Sequence, residues 1–347
     1  MILHVIKSNI YSGAENVVCQ IIKGLSGREE FVYMAPHGPI EDKLRSIGLI
    51  NCYRGIDKLS VYEIKKAVEE LRPDVVHAHD FTASVLCGIA LKGKVPVISH
   101  LHCNPLWLKN PLHPKSFSYY LANKWYAHII TVSDSIAEEY CYSSKLKCPI
   151  TTMGNPFSTE AVLKAASEEP DSDIHSDLLY VGRFNQAKNP LGAIKIFESL
   201  PDKDSLIFRM VGNGELLDEC KEYVSSHGLS DQIIFEGYQE NVYKYMNKTK
   251  VLLMPSIFEG FGLVALEAMT LGKPVVCSGV GGLTNIVNDS CGYICNDINS
   301  YGDSISELLN DASIYSSKSD GAIRQAQAFD NSNAYCEQLY GIYQNLK

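Results

Sequence analysis

Two glutamates stand eight positions apart in the segment PSIFEGFGLVALEAMTLGKPVV, residues 255–276. Glu259 lies in a predicted turn after a strand, whereas Glu267 lies in the predicted helix Leu263–Leu271, whose other residues are mostly apolar. A carboxylate in such surroundings is costly unless a partner binds it. The pattern therefore predicts a polar partner for Glu267, unless this side chain lies on a solvated stripe or meets a neighbouring amide.

Glycines flank the start of this predicted helix. Gly260 and Gly262 let the first backbone amides approach an anion closely, and the helix dipole favours negative charge there. Gly272 and Pro274 stand where the helix should end. The segment thus predicts a strand, an anion-binding turn and a short helix.

Two cations follow another predicted strand, in LLYVGRFNQAKNP, residues 178–190. Arg183 comes directly after Gly182, and Lys188 stands at the start of the next predicted helix. The planar fork of an arginine suits phosphate oxygens, and a second fixed cation adds to the attraction. The alternative is a solvated surface loop.

Together these segments resemble the retaining family-4 (group 1) glycosyltransferases of the GT-B fold, and in particular bacterial enzymes of polysaccharide assembly. The first segment is similar to the Glu-x7-Glu signature of that family, because the whole string E-G-F-G-x-x-x-L-E-A-M-x-x-G-x-P-V-V is present. The second is similar to the family's G-R-x4-K diphosphate clamp. The resemblance extends over nearly all of the chain.

The resemblance implies a role for each of these residues. Glu259 stands by the donor sugar, and Glu267 binds the ribose hydroxyls of the nucleotide. Arg183 and Lys188 stabilise the charge that a leaving nucleoside diphosphate gains as the glycosidic bond breaks. The other donor-binding positions of the segment are Gly260, Phe261, Gly262 and Leu263.

The amino end is similar to the glycine-rich first loop of the family. In SNIYSGAENVV, residues 8–18, Ser12 replaces the first glycine, and only Gly13 is carried over. Gly13 would present its amide to the donor phosphates at the start of the predicted helix Ala14–Leu25. An ordinary strand-to-helix turn is the alternative.

Histidines alternate in two short segments, DVVHAHD and VPVISHLHCNP. The resemblance implies that His102 lies beside the donor sugar and the reacting centre, with His100 as the neighbour that could take its place. His77 and His79 should share one face of a strand. Because no third or fourth ligand is spaced nearby, a zinc pair is disfavoured and no metal is predicted. His79 is assigned to the acceptor side or to a structural role.

Three further strings resemble donor-binding segments of the family. VGNGELL places Gly212 at a strand end. FEGYQEN places Tyr238 for stacking on the nucleobase, or Gln239 for hydrogen bonding to it. In GVGGLTNIV, Asn285 replaces a glutamate that the family often carries, so no role is carried over.

Most of these residues lie at or just beyond the ends of predicted strands. Short runs rich in Val, Ile and Leu alternate with amphipathic stretches of helix length. Such alternation predicts parallel sheets covered on both faces, with ligands beyond the carboxyl ends of the strands. The predicted strands are Ile2–Ile6, Phe31–Met34, Val75–Ala78, Val95–Leu101, Ile129–Val132, Leu178–Val181, Leu206–Val211, Gln232–Phe235, Val251–Met254, Pro274–Cys277 and Gly292–Ile294.

Two doubly wound, Rossmann-like α/β domains facing across a cleft are predicted, which is the architecture that the resemblance names GT-B. Residues 1–155 form the acceptor domain, 156–173 an acidic linker, and 174–330 the nucleotide-sugar domain. The resemblance implies that a C-terminal helix, 331–347, crosses back to the first domain. Asp171-Ser172-Asp173 fits a metal-binding D-x-D pattern, but its place in the linker favours a solvated segment.

Composition excludes several classes of protein. The 347 residues carry a net charge of −9, which argues against a general nucleic-acid binder. Residues 1–155 hold 17 Lys and Arg against 14 Asp and Glu, whereas 156–347 hold 14 against 26, so the first part could face an anionic surface. Strand-length apolar runs and the lack of a secretory signal predict a cytoplasmic protein with reduced cysteines.

The function that the resemblance implies is transfer of a hexosyl unit from a nucleotide-diphosphate sugar, UDP being preferred, with retention at the anomeric carbon. No cofactor is expected, and front-face attack is favoured because no covalent nucleophile is evident opposite the clamp. A sugar-nucleotide epimerase or phosphorylase is one alternative, and a non-catalytic nucleotide-sugar sensor is another. A dinucleotide-binding oxidoreductase is disfavoured because its full glycine fingerprint is missing.

The stretch 104–128 combines aromatic rings with Lys109, Lys115 and Lys124 and contains no acidic residue. This mixture suits the headgroup layer of an anionic membrane. Peripheral docking at the cytoplasmic membrane face is therefore predicted, with a lipid-linked glycan as acceptor and Trp107 on the acceptor side. The alternative is a helix whose rings pack on the first domain. The rings are Trp107, Phe117, Tyr119, Tyr120, Trp125 and Tyr126.

Overall fold

The computed structural model describes residues 1–168 and 174–347. Their contacts divide the chain into two compact units, residues 1–156 with 331–347 and residues 157–330. Each unit is built on one sheet whose strand pairs are all parallel.

The first unit has a seven-stranded sheet. Its strands are β1 (Ile2–Val5), β2 (Phe31–Pro36), β3 (Tyr53–Ile56), β4 (Val75–His79), β5 (Val97–Leu101), β6 (His128–Thr131) and β7 (Ile150–Thr152). They pair in the order β3-β2-β1-β4-β5-β6-β7. The order therefore reverses between β1 and β4, as in a doubly wound sheet.

The second unit has a six-stranded sheet. Its strands are β8 (Ser176–Val181), β9 (Phe208–Val211), β10 (Ile233–Gly237), β11 (Thr249–Met254), β12 (Val275–Ser278) and β13 (Gly292–Cys295). The order β10-β9-β8-β11-β12-β13 reverses between β8 and β11. The prediction of two Rossmann-like, doubly wound sheets is confirmed.

Helices connect these strands. They are α1 (Gly13–Gly24), α2 (Ile40–Ser46), α3 (Val61–Leu71), α4 (Asp80–Leu91), α5 (Pro114–Ala122), α6 (Asp134–Glu139), α7 (Thr159–Ser167), α8 (Pro190–Glu198), α9 (Leu217–Ser226), α10 (Tyr243–Asn247), α11 (Leu263–Thr270), α12 (Leu283–Ile286), α13 (Ile298–Asn310), α14 (Ala312–Ala328) and α15 (Ser332–Leu346). Short 3-10 turns occupy Ile50–Cys52, Leu106–Lys109, Asn123–Trp125, Ser143–Lys145 and Lys203–Ser205. Within the described ranges, no helix combines the length and the apolar character needed to cross a membrane.

The apolar strands are covered on both faces. Leu178 and Leu179 of β8 are neighbours in sequence, so they point to opposite faces, and both are fully buried. Strands β3 and β7, which are not among the strands that the sequence predicts, form the two edges of the first sheet and are partly exposed. An edge strand need not be an apolar run, so its sequence carries a weaker signal.

Helix α7 occupies much of the segment that the sequence predicts as a linker. The Ser158 hydroxyl caps it by accepting a hydrogen bond from the amide of Ala161 at 3.3 Å. Val162 is buried, and Nδ2 of Asn241 donates to the carbonyl of Ala165 at 3.1 Å. These contacts attach α7 to the second unit. The Asp171-Ser172-Asp173 pattern lies outside the described residues.

The C-terminal helix α15 is part of the first unit. Leu339 and Tyr343 are fully buried, and the Tyr343 hydroxyl lies 2.7 Å from Nδ1 of His77 in β4. Lys347 forms an ion pair with Glu29. The helix thus supplies the first unit with apolar surface and with one polar contact in its interior.

Replacing Tyr343 by phenylalanine should destabilise the first unit. The ring remains, but Nδ1 of the buried His77 loses its partner, which costs about 1–3 kcal/mol of the free energy of unfolding. Urea unfolding measures this loss. Tyr62→Phe, which removes a hydroxyl from an exposed ring of α3, is the control and should behave like the wild type. Equal stability of all three proteins would show that the buried contact contributes nothing.

Candidate functional site

The loops that follow β8 and β11 lie where the strand order of the second sheet reverses. Ligands of doubly wound sheets bind at such a point, beyond the carboxyl ends of the strands. The loop after β8 carries Arg183 and Lys188, and the loop after β11 carries Glu259. Sheet topology thus brings together segments that are far apart in sequence.

Hydrogen bonds fasten these two loops to each other. The amide of Ile257 donates to the carbonyl of Ala187 at 2.8 Å, and Nδ2 of Asn189 donates to the carbonyl of Pro255 at 3.0 Å. Asn189 has a φ of +52° and caps α8, where its Oδ1 accepts from the amide of Gly192. Asn189 is not among the predicted site residues, although Asn followed by Pro at a helix start is a capping signal.

The two loops also share an ion pair, between the Lys188 ammonium group and the Glu259 carboxylate. The resemblance assigns these groups to the diphosphate and to the sugar, and here each neutralises the other. Arg183, by contrast, is exposed and has no ion-pair partner within the described residues. Arg183 is therefore the cation of this loop that is available to an anion.

Backbone contacts between the loops after β8 and β9 hold Arg183 in place. The amide of Gly182 donates to the carbonyl of Val211 at 3.0 Å. Gly212 has a φ of +140°, and a Cβ there would lie only 1.9 Å from the carbonyl oxygen of Gly182. Glycine alone permits this approach, so Gly212 shapes the loop that carries Arg183.

The turn before α11 is supported from behind by the loop after β12. Gly262 has a φ of +107°, and the amide of Gly282 donates to the carbonyl of Glu259 at 3.3 Å. The Phe261 ring is buried, with its centroid 6.3 Å from that of Phe329. The Phe261 side chain thus packs inside the protein, and this packing helps to fix the backbone of the turn.

Glu267 lies on α11 in largely apolar surroundings. The Tyr243 hydroxyl donates a long hydrogen bond of 3.4 Å to its carboxylate. Burial raises the pKa of Glu267 to about 7, and the contact with Tyr243 offsets part of this rise. The expected polar partner is present, but it is a weak one, so the carboxylate retains capacity to accept hydrogen bonds from a ligand.

The candidates for contact with the nucleobase differ in availability. Tyr238, just after β10, has 61% of its surface exposed. Nε2 of Gln239 already donates to the carbonyl of Glu236 at 2.8 Å. Asn285 is exposed. Tyr238 therefore offers a free ring face, whereas the amide group of Gln239 is engaged with the backbone.

Gly13 is the first residue of α1, beside the point where the first sheet reverses its order. A Cβ at this position would meet no atom of residues 1–168 or 174–347 within 4 Å, apart from its chain neighbours and its own helix backbone. Ser12 has extended backbone, and its hydroxyl donates to the Glu15 carboxylate at 2.6 Å. Packing within the chain does not require a glycine here, so the space beside Gly13 is open to a ligand.

Strand register gathers five histidines on one face of the first sheet. His4 pairs with His77 across β1 and β4, and His79 pairs with His100 across β4 and β5. The expectation that no third ligand lies near His77 and His79 is wrong, because the additional rings come from other strands. One ring nitrogen from each of His4, His77 and His79 lies within 4.8 Å of the other two, and the same holds for one nitrogen from each of His79, His100 and His102.

These rings are joined by hydrogen bonds. Nδ1 of His4 lies 2.9 Å from Nε2 of His79, and Nδ1 of His79 lies 2.9 Å from Nε2 of His102. Nε2 of His77 lies 3.2 Å from Nδ1 of His100. Burial lowers the pKa of all five rings, so they are neutral at neutral pH. His79 is buried between His4 and His102; its assignment to the acceptor side, like the absence of a metal, stays a prediction.

Asp80 holds the backbone of His102. It begins α4 with a φ of +66°, and its Oδ1 accepts a hydrogen bond from the amide of His102 at 3.0 Å. Burial raises the pKa of Asp80, and this hydrogen bond opposes the rise. A non-glycine residue in this conformation is strained, and such strain is concentrated at functional sites. Asp80 is not among the predicted site residues, and the one signal for it in the sequence is its position after His79 at a strand end.

Three of the six aromatic rings in the stretch 104–128 pack against the first unit, whereas the membrane-docking prediction places these rings in the headgroup layer. Tyr119 and Tyr126 are buried in the first unit, and Trp107 packs edge-on against Phe81 at 4.8 Å between centroids. The exposed apolar side chains are mainly leucines, and Leu112 is 89% exposed. We define the Lys–Leu surface as Leu106, Lys109, Leu112, Lys115, Phe117, Leu121 and Lys124.

Two family descriptions match the chain. Residues 11–161 match the family described as Glycosyltransferase Family 4, and residues 167–327 match the family described as Glycosyl transferases group 1. The second match contains Arg183, Lys188, Glu259 and Glu267, and the first contains His102.

Proteins with similar sequences are also named as glycosyltransferases. MJ1178 of Methanocaldococcus jannaschii, an uncharacterized glycosyltransferase, is 30% identical over 267 residues, which cover 74% of this chain and 72% of the relative. The chain spans 60% and 58% of two further uncharacterized glycosyltransferases of that organism. The UDP-Gal:alpha-D-GlcNAc-diphosphoundecaprenol alpha-1,3-galactosyltransferase of Escherichia coli is 25% identical, with 89% of this chain and 88% of the relative covered.

Solved structures share the fold. Anabaena Alr3699/HepE, in a crystal structure with UDP-glucose, matches with a TM-score of 0.82 over 99% of both chains at 18% identity. The sucrose-phosphate synthase of Thermosynechococcus elongatus matches with a TM-score of 0.77 over 99% of this chain and 98% of that one, at 17% identity. At such identities the likeness shows a common fold.

Adding a methyl group at Gly212 should destabilise the second unit. The Cβ of Gly212→Ala cannot fit against the carbonyl oxygen of Gly182, and the backbone conformation is strained for alanine, so we expect a loss of more than about 1 kcal/mol. Gly302→Ala is the control, because that position lies in α13 with no atom within 4 Å of the added carbon. It should stabilise by about 0.4–1 kcal/mol. Thermal unfolding compares the two, and equal shifts would contradict this account.

Removing the charge of Glu267 should flatten the dependence of stability on pH. Because burial raises the pKa of Glu267 from 4.5 to about 7, the folded state retains a proton that the unfolded state releases. The resulting stabilisation is fully present below the unfolded pKa and is lost as the pH rises through the folded pKa. Glu267→Gln should therefore lose less stability than the wild type over that interval, measured by urea unfolding. Glu219→Gln, at an exposed position of α9, should keep the wild-type slope.

Proposed function

Since the chain belongs to the group 1, family-4 glycosyltransferases, we propose that it transfers a hexosyl unit from a nucleotide-diphosphate sugar to a glycan acceptor with retention at the anomeric carbon. The second unit holds the donor, and the first unit holds the acceptor. The observation that carries this proposal is the set of Arg183, Lys188 and Glu259 at the switch point of the second sheet.

The donor diphosphate binds between the side chains of Arg183 and Lys188. Arg183 is exposed and donates to the phosphate oxygens through its planar fork. Lys188 is already oriented by the Glu259 carboxylate, so it needs little reorganisation when a phosphate approaches. Both cations then stabilise the charge that develops on the departing diphosphate.

Glu259 and Glu267 act on the sugar and the ribose. Glu259 follows β11 next to Lys188, where it accepts hydrogen bonds from hydroxyl groups of the transferred sugar. Glu267, with only a long hydrogen bond from Tyr243, accepts from the ribose hydroxyls once it is ionised. Neither carboxylate is assigned to acid–base work.

Transfer proceeds by front-face attack, without a covalent enzyme intermediate. The acceptor hydroxyl approaches the anomeric carbon on the side that the diphosphate leaves, and a departing phosphate oxygen takes its proton. Arg183 and Lys188 supply the charge that a divalent ion would otherwise supply, so the reaction needs no metal. His102 contacts the transferred sugar during this step.

A UDP-sugar is the favoured donor. The Anabaena protein of the same fold was crystallised with UDP-glucose, and the related Escherichia coli enzyme is named for UDP-Gal. Tyr238 offers an exposed ring on which a nucleobase can stack.

The acceptor is a lipid-linked glycan presented at an anionic membrane. The Lys–Leu surface exposes leucine side chains among three lysines, and the stretch 104–128 has no acidic residue. Lys109 forms an ion pair with Glu139, which lies outside the stretch, at 3.4 Å. Leucines that enter the acyl boundary and lysines that meet lipid phosphates bind a bilayer together. The related Escherichia coli enzyme is named for an acceptor linked to diphosphoundecaprenol.

A donor panel followed by product analysis tests this function. UDP-, GDP- and ADP-sugars that bind the folded protein raise its melting temperature. The donor that binds is then incubated in EDTA with a polyprenyl-diphosphate-linked sugar, and NMR of the product gives the anomeric configuration. Retained configuration in EDTA supports the proposal. Turnover without an acceptor indicates an epimerase, binding without turnover indicates a sensor, and a requirement for manganese contradicts the metal-free mechanism.

Loss of either cation should slow transfer without unfolding the protein. We expect Arg183→Ala and Lys188→Ala each to lower kcat by at least about a hundredfold, the effect of removing one preorganised charge donor. Lys195→Ala, an exposed lysine further along α8, is the control and should retain wild-type kcat. Wild-type kcat values in both variants would show that Arg183 and Lys188 do not stabilise the departing diphosphate.

Charge reversal on the Lys–Leu surface should abolish membrane binding. We expect the wild type to float with liposomes that contain anionic lipid at low salt, and to remain unbound at high salt or without anionic lipid. The triple variant Lys109→Glu, Lys115→Glu and Lys124→Glu should not float and should lose activity on a lipid-linked acceptor.

A matched triple variant separates this surface from net charge. Lys58→Glu, Lys65→Glu and Lys66→Glu reverse three exposed lysines elsewhere on the first unit, and this protein should still float. Equal loss of flotation in both triple variants would assign binding to overall charge. A wild type that stays unbound at low salt would indicate a water-soluble acceptor.

A further inference from the structure

A cavity of about 460 Å³ lies within the first unit. Three of the residues that line it are charged, Lys7, Asp57 and Lys58, and two more are polar, Asn9 and Thr82. Its volume is within the range of sites for small ligands, about 300–1,000 Å³. The mechanism proposed above uses none of these residues.

The cavity lies beyond the carboxyl ends of neighbouring parallel strands. Lys7 and Asn9 follow β1, and Asp57 and Lys58 follow β3. Thr82 lies in the first turn of α4, which follows β4. The strand order reverses between β1 and β4, and ligands of doubly wound sheets bind at such a reversal. The position of the cavity therefore predicts a binding site.

Hydrogen bonds between the loops fix the walls of the cavity. Nδ2 of Asn9 donates to the carbonyl of His37 at 2.8 Å, and the carbonyl of Asn9 accepts from the amide of Ile40 at 2.9 Å. The amide of His37 in turn donates to the carbonyl of Ile56 at 2.9 Å. The loops that follow β1 and β2 are thus fastened to each other and to the end of β3. A ligand would therefore meet walls that are already formed.

Two parts of the cavity wall continue into residues that the proposed function uses. Asn9 lies in the loop that leads to Gly13, where α1 begins. Thr82 stands two positions after Asp80, whose Oδ1 accepts a hydrogen bond from the amide of His102 at 3.0 Å. The same loop and the same helix start therefore carry both the cavity and residues that are proposed to contact the donor.

The charged groups of the cavity favour an anion. Lys7 and Lys58 come from different strand ends, and both side chains are exposed. Within residues 1–168 and 174–347, neither ammonium group has an ion-pair or hydrogen-bond partner, and the same is true of the Asp57 carboxylate. This single carboxylate balances only one of the two cations. Because lysine binds phosphate well as a point charge, a phosphate group would neutralise the remaining positive charge.

The other lining groups suit a sugar. The Asp57 carboxylate accepts hydrogen bonds from hydroxyl groups, and the Thr82 hydroxyl can donate or accept them. Pro36, Leu59 and Leu86 form the apolar part of the wall, against which the carbon atoms of a ligand can pack. A sugar that carries a phosphate combines an anion, hydroxyl groups and apolar C–H groups, and so matches all three parts of the lining.

We propose that this cavity binds the acceptor, and that the acceptor carries a phosphate next to its sugar. The proposal rests on the proposed function, in which the first unit holds the acceptor. Lys7 and Lys58 bind the phosphate oxygens, while Asp57 accepts hydrogen bonds from the sugar hydroxyls. A neutral glycan lacks the group that the two lysines bind, so the cavity selects acceptors whose sugar is joined to a phosphate or diphosphate.

Isothermal titration calorimetry with hexose 1-phosphates tests this site without a donor. The probes are the 1-phosphates of glucose, galactose and N-acetylglucosamine, the uncharged methyl glycoside of each, and glucuronic acid as a carboxylate. Every protein carries Arg183→Ala, which removes the exposed cation of the proposed donor site. We expect at least one 1-phosphate to bind. Lys7→Ala and Lys58→Ala should each raise its Kd by at least about tenfold, the effect of losing one hydrogen bond to a charged group.

Lys65→Ala in the same background is the matched control. Lys65 is an exposed lysine of α3 that does not line the cavity, so the Kd of the 1-phosphate should stay unchanged. The methyl glycosides should bind more weakly than the 1-phosphates, and equally in all of these proteins. The proposal is overturned if no 1-phosphate binds, if neither cavity lysine changes the Kd, if Lys65→Ala raises it equally, or if glucuronic acid binds more tightly than every 1-phosphate.

Acceptor kinetics without Arg183→Ala separates this proposal from the proposed function. With a polyprenyl-diphosphate-linked sugar, Lys7→Ala and Lys58→Ala should raise the KM for the acceptor by about tenfold and leave the KM for the donor unchanged. Both variants should still float with anionic liposomes, because neither residue belongs to the Lys–Leu surface. Lysine-dependent binding of a 1-phosphate without any sugar transfer would support the cavity site and contradict the proposed function. Transfer with a wild-type KM for the acceptor in both variants would overturn the cavity site alone.

Discussion

A backbone contact too close for any side chain supports the site of the second unit. The carbonyl of Gly182 would lie 1.9 Å from a Cβ at Gly212, so the loops after β8 and β9 meet only because that position has none. Arg183 projects from the first of these loops, and the same loop is fastened through Asn189 to the loop after β11. Hydrogen bonds to backbone carbonyls thus set the positions of the charged groups, because a parallel sheet aligns all of these loops at one edge.

Electrostatics divides the charged groups of this edge into two kinds. Lys188 and Glu259 neutralise each other and therefore keep a defined geometry before a ligand arrives. Arg183 is exposed, and Glu267 is held near neutrality by burial, which raises its pKa to about 7. The site accordingly combines one preformed ion pair with two groups whose charge or hydrogen-bonding capacity is open to a ligand. This division suits a donor that has a charged diphosphate and neutral hydroxyl groups.

The first unit relies on neutral polar groups in its interior. Five of its histidines lie beside one another, and burial keeps these rings uncharged, so they form hydrogen bonds where charged rings would repel. Tyr343 of α15 joins this network through His77. The C-terminal helix therefore contributes a polar contact as well as apolar side chains to the core of the first unit. The strained residue Asp80 accepts a hydrogen bond from the backbone amide of His102, the most exposed histidine of this cluster.

The sequence by itself determined the strand-and-helix alternation, the two doubly wound sheets, and the family, because these depend on local periodicity and on motifs of contiguous residues. It placed Arg183, Lys188 and Glu259 between predicted strands and the helices that follow them, and Glu267 within such a helix; their roles stay predictions. Tertiary structure alone decided which side chains meet: the pairing of Lys188 with Glu259, 71 positions apart, depends on strand order. The contact of His4 with His79 likewise depends on strand register, and the spacing of the two residues in the sequence does not predict it. The edge strands β3 and β7 are not predicted from the sequence, because partly exposed strands need not contain a continuous run of apolar residues.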